Sequence, residues 1–339
     1  MTIRDRETVL DTDVREVVAD AAGAAALLEI GDRLGLVPHI ENGQAVTVAG
    51  LAEETLVPPE GVAKYLEAMT SAGIMSESTE LPGTFTVADD FDQIRYESGY
   101  LSWALNANRP FVNNALEFLR DPRAAGKRHT RDGRQVAVAS EWMGSKAFYP
   151  VALETILKAR PSHVVDLGAG TARLLIEILG QLPETTAVAL DLDGPSCKEA
   201  QAAAERAGMS DRLTVVERSI QSVAEDAGPV AGADVVHAGF VFHDMMPEEE
   251  DVADGVLANC RDALRPGGIM AITEAVPFVQ NVRERRFSAI VTYYHQQFMR
   301  RRLLTEQEWT AKLLQAGFSE VECVPHRFPT GRLFIAKKK

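Results

Sequence analysis

The run HVVDLGAG, residues 163–170, followed by TARLLIEILGQL, constrains this chain more than any other stretch. Apolar β-formers lead into two glycines, and the pattern then switches to helical spacing. A buried strand, a tight turn and a helix therefore follow one another. The same grammar recurs downstream: strands in TTAVALDLDG, RLTVVERS, ADVVHAGFVF and GIMAITEAV alternate with helices in PSCKEAQAAAERAG and EDVADGVLANCRDAL. Such alternation predicts a parallel sheet covered on both faces. SEVECVPHRF and GRLFIAKKK are joined by a short turn, which predicts an antiparallel final strand. Ligands of such sheets sit at the carboxyl ends of the strands.

The N-terminal half reads differently. VREVVADAAGAAALLEIGDRLGL has apolar residues at helical spacing and ends near Gly35 and Pro38. Thr47 is a candidate N-cap of a short helix, a Pro-Pro break follows, and a further helix stops at Gly73. Around Leu81-Pro82-Gly83 the pattern predicts a hairpin. Helices followed by a small hairpin outline a winged helix over residues 1–95. Residues 96–160 read as connecting helices, with Trp103 and Met143 as candidates for a substrate pocket or an apolar core. The polar stretch RDPRAAGKRHTRDGRQ, 120–135, reads as a loop. The remaining residues, 161–339, form the alternating α/β domain.

A formal net charge of −14 argues against a nucleic-acid partner, and the winged-helix region carries few basic residues. RERR (283–286) and MRRRL (299–303) read as solvated helix faces. MTIRDRETVL shows no signal-peptide pattern, and the apolar run AAGAAALLEI is too short to cross a membrane. Cys197, Cys260 and Cys323 are widely spaced, which predicts reduced thiols in a cytoplasmic protein.

VVDLGAGTARL departs from a dinucleotide fingerprint, because Arg173 stands where that motif has its third glycine. Asp166 precedes Gly168 by two residues, and a carboxylate there repels a pyrophosphate but suits a cationic amino group. Asp191 closes the second strand, where a carboxylate accepts both ribose hydroxyls, and Ser219 closes the third, where an adenine edge would lie. An amino-acid-linked nucleoside fits this set, a description met by S-adenosylmethionine (SAM).

VVDLGAGTARL, ALDLDG, VFHDMMPEE, LRPGGIMAITEAV and LTEQEWTAKLLQAGF stand in the order and spacing of a known family. The chain resembles the class I SAM-dependent methyltransferases, specifically the small-molecule O-methyltransferases with an N-terminal winged-helix dimerisation domain. The resemblance implies a Rossmann-like seven-stranded sheet and a homodimer. It places Asp166, Gly168, Ala169 and Gly170 at the methionine end of SAM and Asp191 and Leu192 at the ribose, with Ser219 and Ile220 beside the adenine. Position 243 is that of the general base. The third glycine of the family is here Ala172, and Met245 replaces the aromatic residue that follows His-Asp.

His243 alone would deprotonate a hydroxyl, as its ordinary pKa near neutrality allows. His295 falls on the inward stripe of a helix with Phe287, Val291 and Phe298. In the family fold that helix lies over the substrate pocket. Two imidazoles and Asp244 then form the facial set typical of non-haem iron. Neighbours on a strand point to opposite faces, so His243 and Asp244 can share a metal only where the chain has left the strand. With that triad the chain resembles the iron-dependent phenylpyruvate C-methyltransferases of peptide-antibiotic pathways, which implies an aromatic 2-oxo acid as substrate. Arg109, Lys127 and Arg300 are candidate partners for its carboxylate. The alternatives are a metal-free O-methyltransferase with His243 as base, or a ligand-sensing protein on a degenerate methyltransferase.

Overall fold

The computed structural model describes residues 7–280 and 285–339. The first residues of MTIRDRETVL and the start of RERR lie outside them. The chain divides into two compact units, Met1–Asn113 with Thr130–Lys146, and Asn114–His129 with Ala147–Lys339. The segment 96–160 is thus apportioned between the two.

In the first unit a long helix, Glu7–Arg33, precedes the strand β1 (Val46–Thr47). The Thr47 side chain caps the next helix, Val48–Thr55, by accepting from the Gly50 N–H at 3.1 Å. Pro59 opens the helix Pro59–Ser71, where its missing N–H costs nothing. Gly73 follows at φ +70°, a conformation that glycine reaches without strain. The hairpin β2 (Met75–Glu77) and β3 (Thr84–Val87) pairs antiparallel, and β1 joins it in the order β1-β3-β2. Leu28, Leu36, Ile40, Leu51, Leu66 and Met69 form the buried centre of this unit.

The stretch 120–135, expected to be a loop, contains the helix Pro122–Arg128 and the start of Gly133–Ala147. Asp121 accepts from the Ala124 N–H at 3.0 Å and Pro122 opens the turn, so capping chemistry outweighs the polar composition.

The second unit carries the strands β4 (His163–Leu167), β5 (Thr186–Asp191), β6 (Leu213–Glu217), β7 (Val235–Gly239), β8 (Ile269–Ala275), β9 (Glu320–Pro325) and β10 (Gly331–Lys337). They form one seven-stranded sheet in the order β6-β5-β4-β7-β8-β10-β9. All neighbours run parallel except β10, which is antiparallel to both β8 and β9. The expectation of a Rossmann-like parallel sheet with an antiparallel end is met. Two apolar layers cover it, one including Val236, Phe242, Trp309 and Phe334, the other Ile156, Val164, Leu175 and Ile178. From β4 the sheet grows through β5 to β6 on one side and through β7 to β8 on the other. The crevice at that reversal is where such sheets take ligands.

The strand expected over ADVVHAGFVF ends earlier, at Gly239. Phe240 takes φ +55°, and Phe242–Met245 forms a single 3₁₀ turn. The buried Glu274 carboxylate accepts the N–H groups of Phe242 at 2.8 Å and His243 at 3.2 Å, which replaces the ladder partners those residues lack.

Candidate active site

After β4 the chain turns at Gly168 (φ +75°) and Gly170 (φ +54°), and the N–H groups of Gly168 and Ala169 both donate to the Leu190 carbonyl. A Cβ on Gly168 would lie 2.4 Å from Val241 Cγ1, so close packing as well as the turn demands glycine. Asp191, at the end of β5, accepts from the N–H of Gly170 at 2.8 Å and from that of Asp193 at 2.9 Å. Leu192 beside it is exposed, Ser219 immediately precedes the short helix Ile220–Ala224, and Ile220 is buried. Ala172 takes φ +59°, so the family's glycine position keeps its left-handed backbone although the residue has changed. Asp166 is buried in β4 with its Oδ1 2.7 Å from His237 Nδ1.

At the other end of the crevice the 3₁₀ turn puts His243 and Asp244 on one side, with Nε2 3.1 Å from Asp244 Oδ1. His243 Nδ1 donates to Glu274 Oε2 at 2.8 Å. The geometric condition for the pair to act together, departure from the strand, is met. The helix Arg285–Tyr293 passes into a π turn, Tyr294–Phe298, that brings the His295 ring within 4.9 Å of the His243 ring, edge to face. His295 Nδ1 donates to the Val291 carbonyl at 2.7 Å. Arg300 then adopts φ +58°, and Arg301 donates its backbone N–H to the His295 carbonyl and its guanidinium to Asp244 Oδ1 at 2.8 Å.

Burial opposes protonation of His243, but the Glu274 and Asp244 carboxylates outweigh it and push its pKa up to about 9. Burial alone would raise the Asp244 pKa, yet its bond to His243 and the charges of His243 and Arg301 hold it below the usual carboxylate range.

Among the sequence candidates, His243, Asp244 and His295 come together, and Asp166, Gly168, Gly170 and Asp191 line the β4–β5 turn. Trp103 and Met143 are both buried in the first unit. Arg300 pairs with Glu248, Arg109 with Asn106 of the first unit, and Lys127 is exposed. Sequence reasoning missed Glu274 and Arg301. A lone carboxylate inside the apolar strand GIMAITEAV was the available signal for Glu274. Phe148, Phe240, Phe287 and Phe328 also form an aromatic cluster with centroids 4.8–6.0 Å apart.

Residues 165–270 match the family model described as a methyltransferase domain. The chain is 26% identical over 300 residues to aclacinomycin 10-hydroxylase RdmB of Streptomyces purpurascens, covering 83% of this chain and 77% of that protein. It is 26% identical over 197 residues to the 2-ketoarginine methyltransferase of Streptomyces arginensis, covering 56% of each. Among solved structures it superimposes on human N-acetylserotonin methyltransferase in complex with SAM with a TM-score of 0.59 at 14% identity, covering 98% of this chain and 99% of that one. The riboflavin-analogue dimethyltransferase RosA of Streptomyces davawensis gives a TM-score of 0.58 at 18% identity, covering 100% of both. The fold is that of the class I methyltransferases. The matched domain marks the chain as a methyltransferase. Among the described residues, no helix is long and apolar enough to cross a membrane.

Proposed function

We propose that this enzyme methylates C3 of an aromatic 2-oxo acid such as phenylpyruvate, with iron held by His243, Asp244 and His295. The observation that carries the reading is the meeting of those three side chains beside the crevice. The kinship to a methyltransferase named for 2-ketoarginine, itself a 2-oxo acid, supports the substrate class. One relative is named for hydroxylation, so the fold by itself does not choose the reaction.

The donor chemistry fits iron. Each imidazole commits Nδ1–H, one to a carboxylate and one to a carbonyl, so a metal would take Nε2 in place of its proton. Among the described residues no three such side chains stand in metal-holding geometry, and the contact between His243 Nε2 and Asp244 is a hydrogen bond that a cation would replace. When bound, iron would supply Lewis-acid charge at the keto oxygen and a template for the chelating acid.

The residues of the chain supply the rest. Arg301 offers the cation for the substrate carboxylate, already 2.8 Å from Asp244. The cluster of Phe148, Phe240, Phe287 and Phe328 offers aromatic edges to an aryl group. Asp166 meets the amino group of SAM and Asp191 its ribose. C3 loses its proton to water, the enolate carbon attacks the methyl carbon in line, and the new C–C bond forms as the S–CH₃ bond breaks, releasing S-adenosylhomocysteine (SAH) with a neutral sulfur. We also propose a homodimer through the first unit, where Ile30, Leu34, Leu105 and Val112 are exposed apolar side chains.

The bond from His243 Nδ1 to Glu274, which orients the ring, supports a second reading, in which His243 is the general base of a metal-free O-methyltransferase. Elemental analysis of the wild type and of His295→Ala, with methyl transfer to phenylpyruvate, separates the two. One iron per chain, lost in the variant together with transfer, is expected. An iron-free wild type whose methyl transfer needs only His243 would overturn the iron reading.

A further inference from the structure

Asp166 sits at the edge of a second buried polar cluster that the reaction above does not use. Register places its members on one face of the sheet: Asp166 lies beside His237, Gly239 beside Thr273, and Thr273 beside Leu333. His326, whose N–H bonds the Gly331 carbonyl, closes the row at the turn before β10.

Four side-chain atoms there are buried with no partner among the described residues: His237 Nε2, Thr273 Oγ1, and His326 Nδ1 and Nε2. Native interiors rarely tolerate such a concentration without a bound molecule. The rings also have room built for them. A Cβ on Gly239 would lie 3.3 Å from His237 Cε1, and one on Gly331 would lie 3.2 Å from both Cβ and Cδ2 of His326.

The donor inventory selects the occupant. His237 gives its Nδ1–H to Asp166, which leaves Nε2 for another partner, as acceptor in a neutral ring or donor in a charged one. Burial and the neighbouring His237 hold the His326 pKa down at about 4, so that ring is neutral and brings one donor and one acceptor. The Thr273 hydroxyl does both. An anion needs donors and a cation needs acceptors; a mixed set suits water.

We propose that His237 is a positioning residue for the cofactor, holding the Asp166 carboxylate toward the methionine end of SAM while ordered water bound by Thr273 and His326 holds His237. The proposal rests on the reading of Asp166 as a SAM contact.

Calorimetric titration of SAH into the full-length wild type, His237→Leu, His237→Asn and Asp166→Asn tests it, together with a high-resolution crystal structure of the wild type. His237→Leu is expected to weaken SAH about tenfold, the cost of a charge-assisted hydrogen bond. His237→Asn keeps an N–H near the place of Nδ1 and should stay within about twofold to threefold of wild type. Ordered water within hydrogen-bond reach of His237 Nε2 and His326 is expected in the crystal. Leu and Asn variants with equal affinity, or a dry cluster, would overturn the proposal. Undiminished affinity in Asp166→Asn would overturn it through Asp166 itself, leaving the His243 site and the methyl transfer untouched. Should His237→Leu fail to fold, His237→Phe takes its place with the same expectation.

Discussion

His243 and His237 are both buried, and each presents Nδ1 to a carboxylate, Glu274 at 2.8 Å for the first and Asp166 at 2.7 Å for the second. The adjacent residues Thr273 and Glu274 of β8 point to opposite faces, so one strand serves both clusters. What differs is the company. Asp244 stands on Nε2 of His243, with Arg301 behind it, whereas Nε2 of His237 has no described partner and its neighbour is another imidazole, His326. The pKa of His243 rises to about 9, and that of His326 falls to about 4. Burial penalises charge in both places; two carboxylates reverse its effect in one, and a second imidazole reinforces it in the other.

The contrast breaks most sharply at Glu274. Its carboxylate holds the His243 ring and two backbone N–H groups of the 3₁₀ turn, all buried. Glu274→Leu leaves those donors without an acceptor and should cost about 3–5 kcal/mol of stability by urea unfolding, the range for removing one partner of a buried pair. A loss below about 1 kcal/mol would mean that this cluster is no better fixed than the other.

Acid should expose the opposite sign in the second cluster. His326 in the folded chain stays neutral until about pH 4, whereas unfolded it takes a proton near its ordinary 6.5. Between those values the unfolded state binds more protons, so stability falls with pH by up to about 3 kcal/mol and is unaffected above 6.5. His243 behaves conversely. Its contribution is full below about 6.5 and is lost as pH rises through about 9. Unfolding from pH 4 to 9 in wild type and His326→Phe isolates the acid limb; identical limbs would remove His326 as its source.

Much of the first cluster was legible in the sequence and little of the second, for a physical reason. The parallel strands are apolar on both faces, and the β4 turn needs positive φ at Gly168 and Gly170, so both leave compositional marks. His243 and Asp244 stand together in VFHD, but their use depends on the chain leaving the strand at Gly239, which the apolar run GFVF conceals. Glu274 lies 31 residues from His243, and its pairing is a matter of sheet order. His237 stands alone within the apolar run ADVVHAGFVF, because its partner, Asp166, sits on the neighbouring strand 71 residues earlier. Arg301 hides in MRRRL; the π turn and the left-handed Arg300 decide which arginine reaches Asp244.

Arg301 gives a smaller effect that sharpens the chemical side of the comparison. If it receives the substrate carboxylate, Arg301→Gln should raise KM for phenylpyruvate about tenfold, with a smaller change in KM for SAM. Wild type should also prefer the acid over its methyl ester by about the same factor, and the variant should lose that preference. Equal discrimination in both proteins would leave Arg301 a structural partner of Asp244 alone.

The smallest expected change is at His326, and its smallness is informative. Two unsatisfied nitrogens buried in a dry cluster would each cost about 1–3 kcal/mol, so His326→Phe would relieve that cost and stabilise the protein measurably at pH 7. If water bridges those nitrogens to Thr273 and His237, the substitution exchanges satisfied polar contacts for apolar ones. Stability should then stay within about 1 kcal/mol of wild type. The similar ring keeps the shape over Gly331, so overpacking adds little. A near-zero result at pH 7 with a missing acid limb would show a neutral imidazole solvated from within. A large gain at pH 7 would show the second cluster to be strained and dry, and the likeness between His237 and His243 would then end at their Nδ1 bonds.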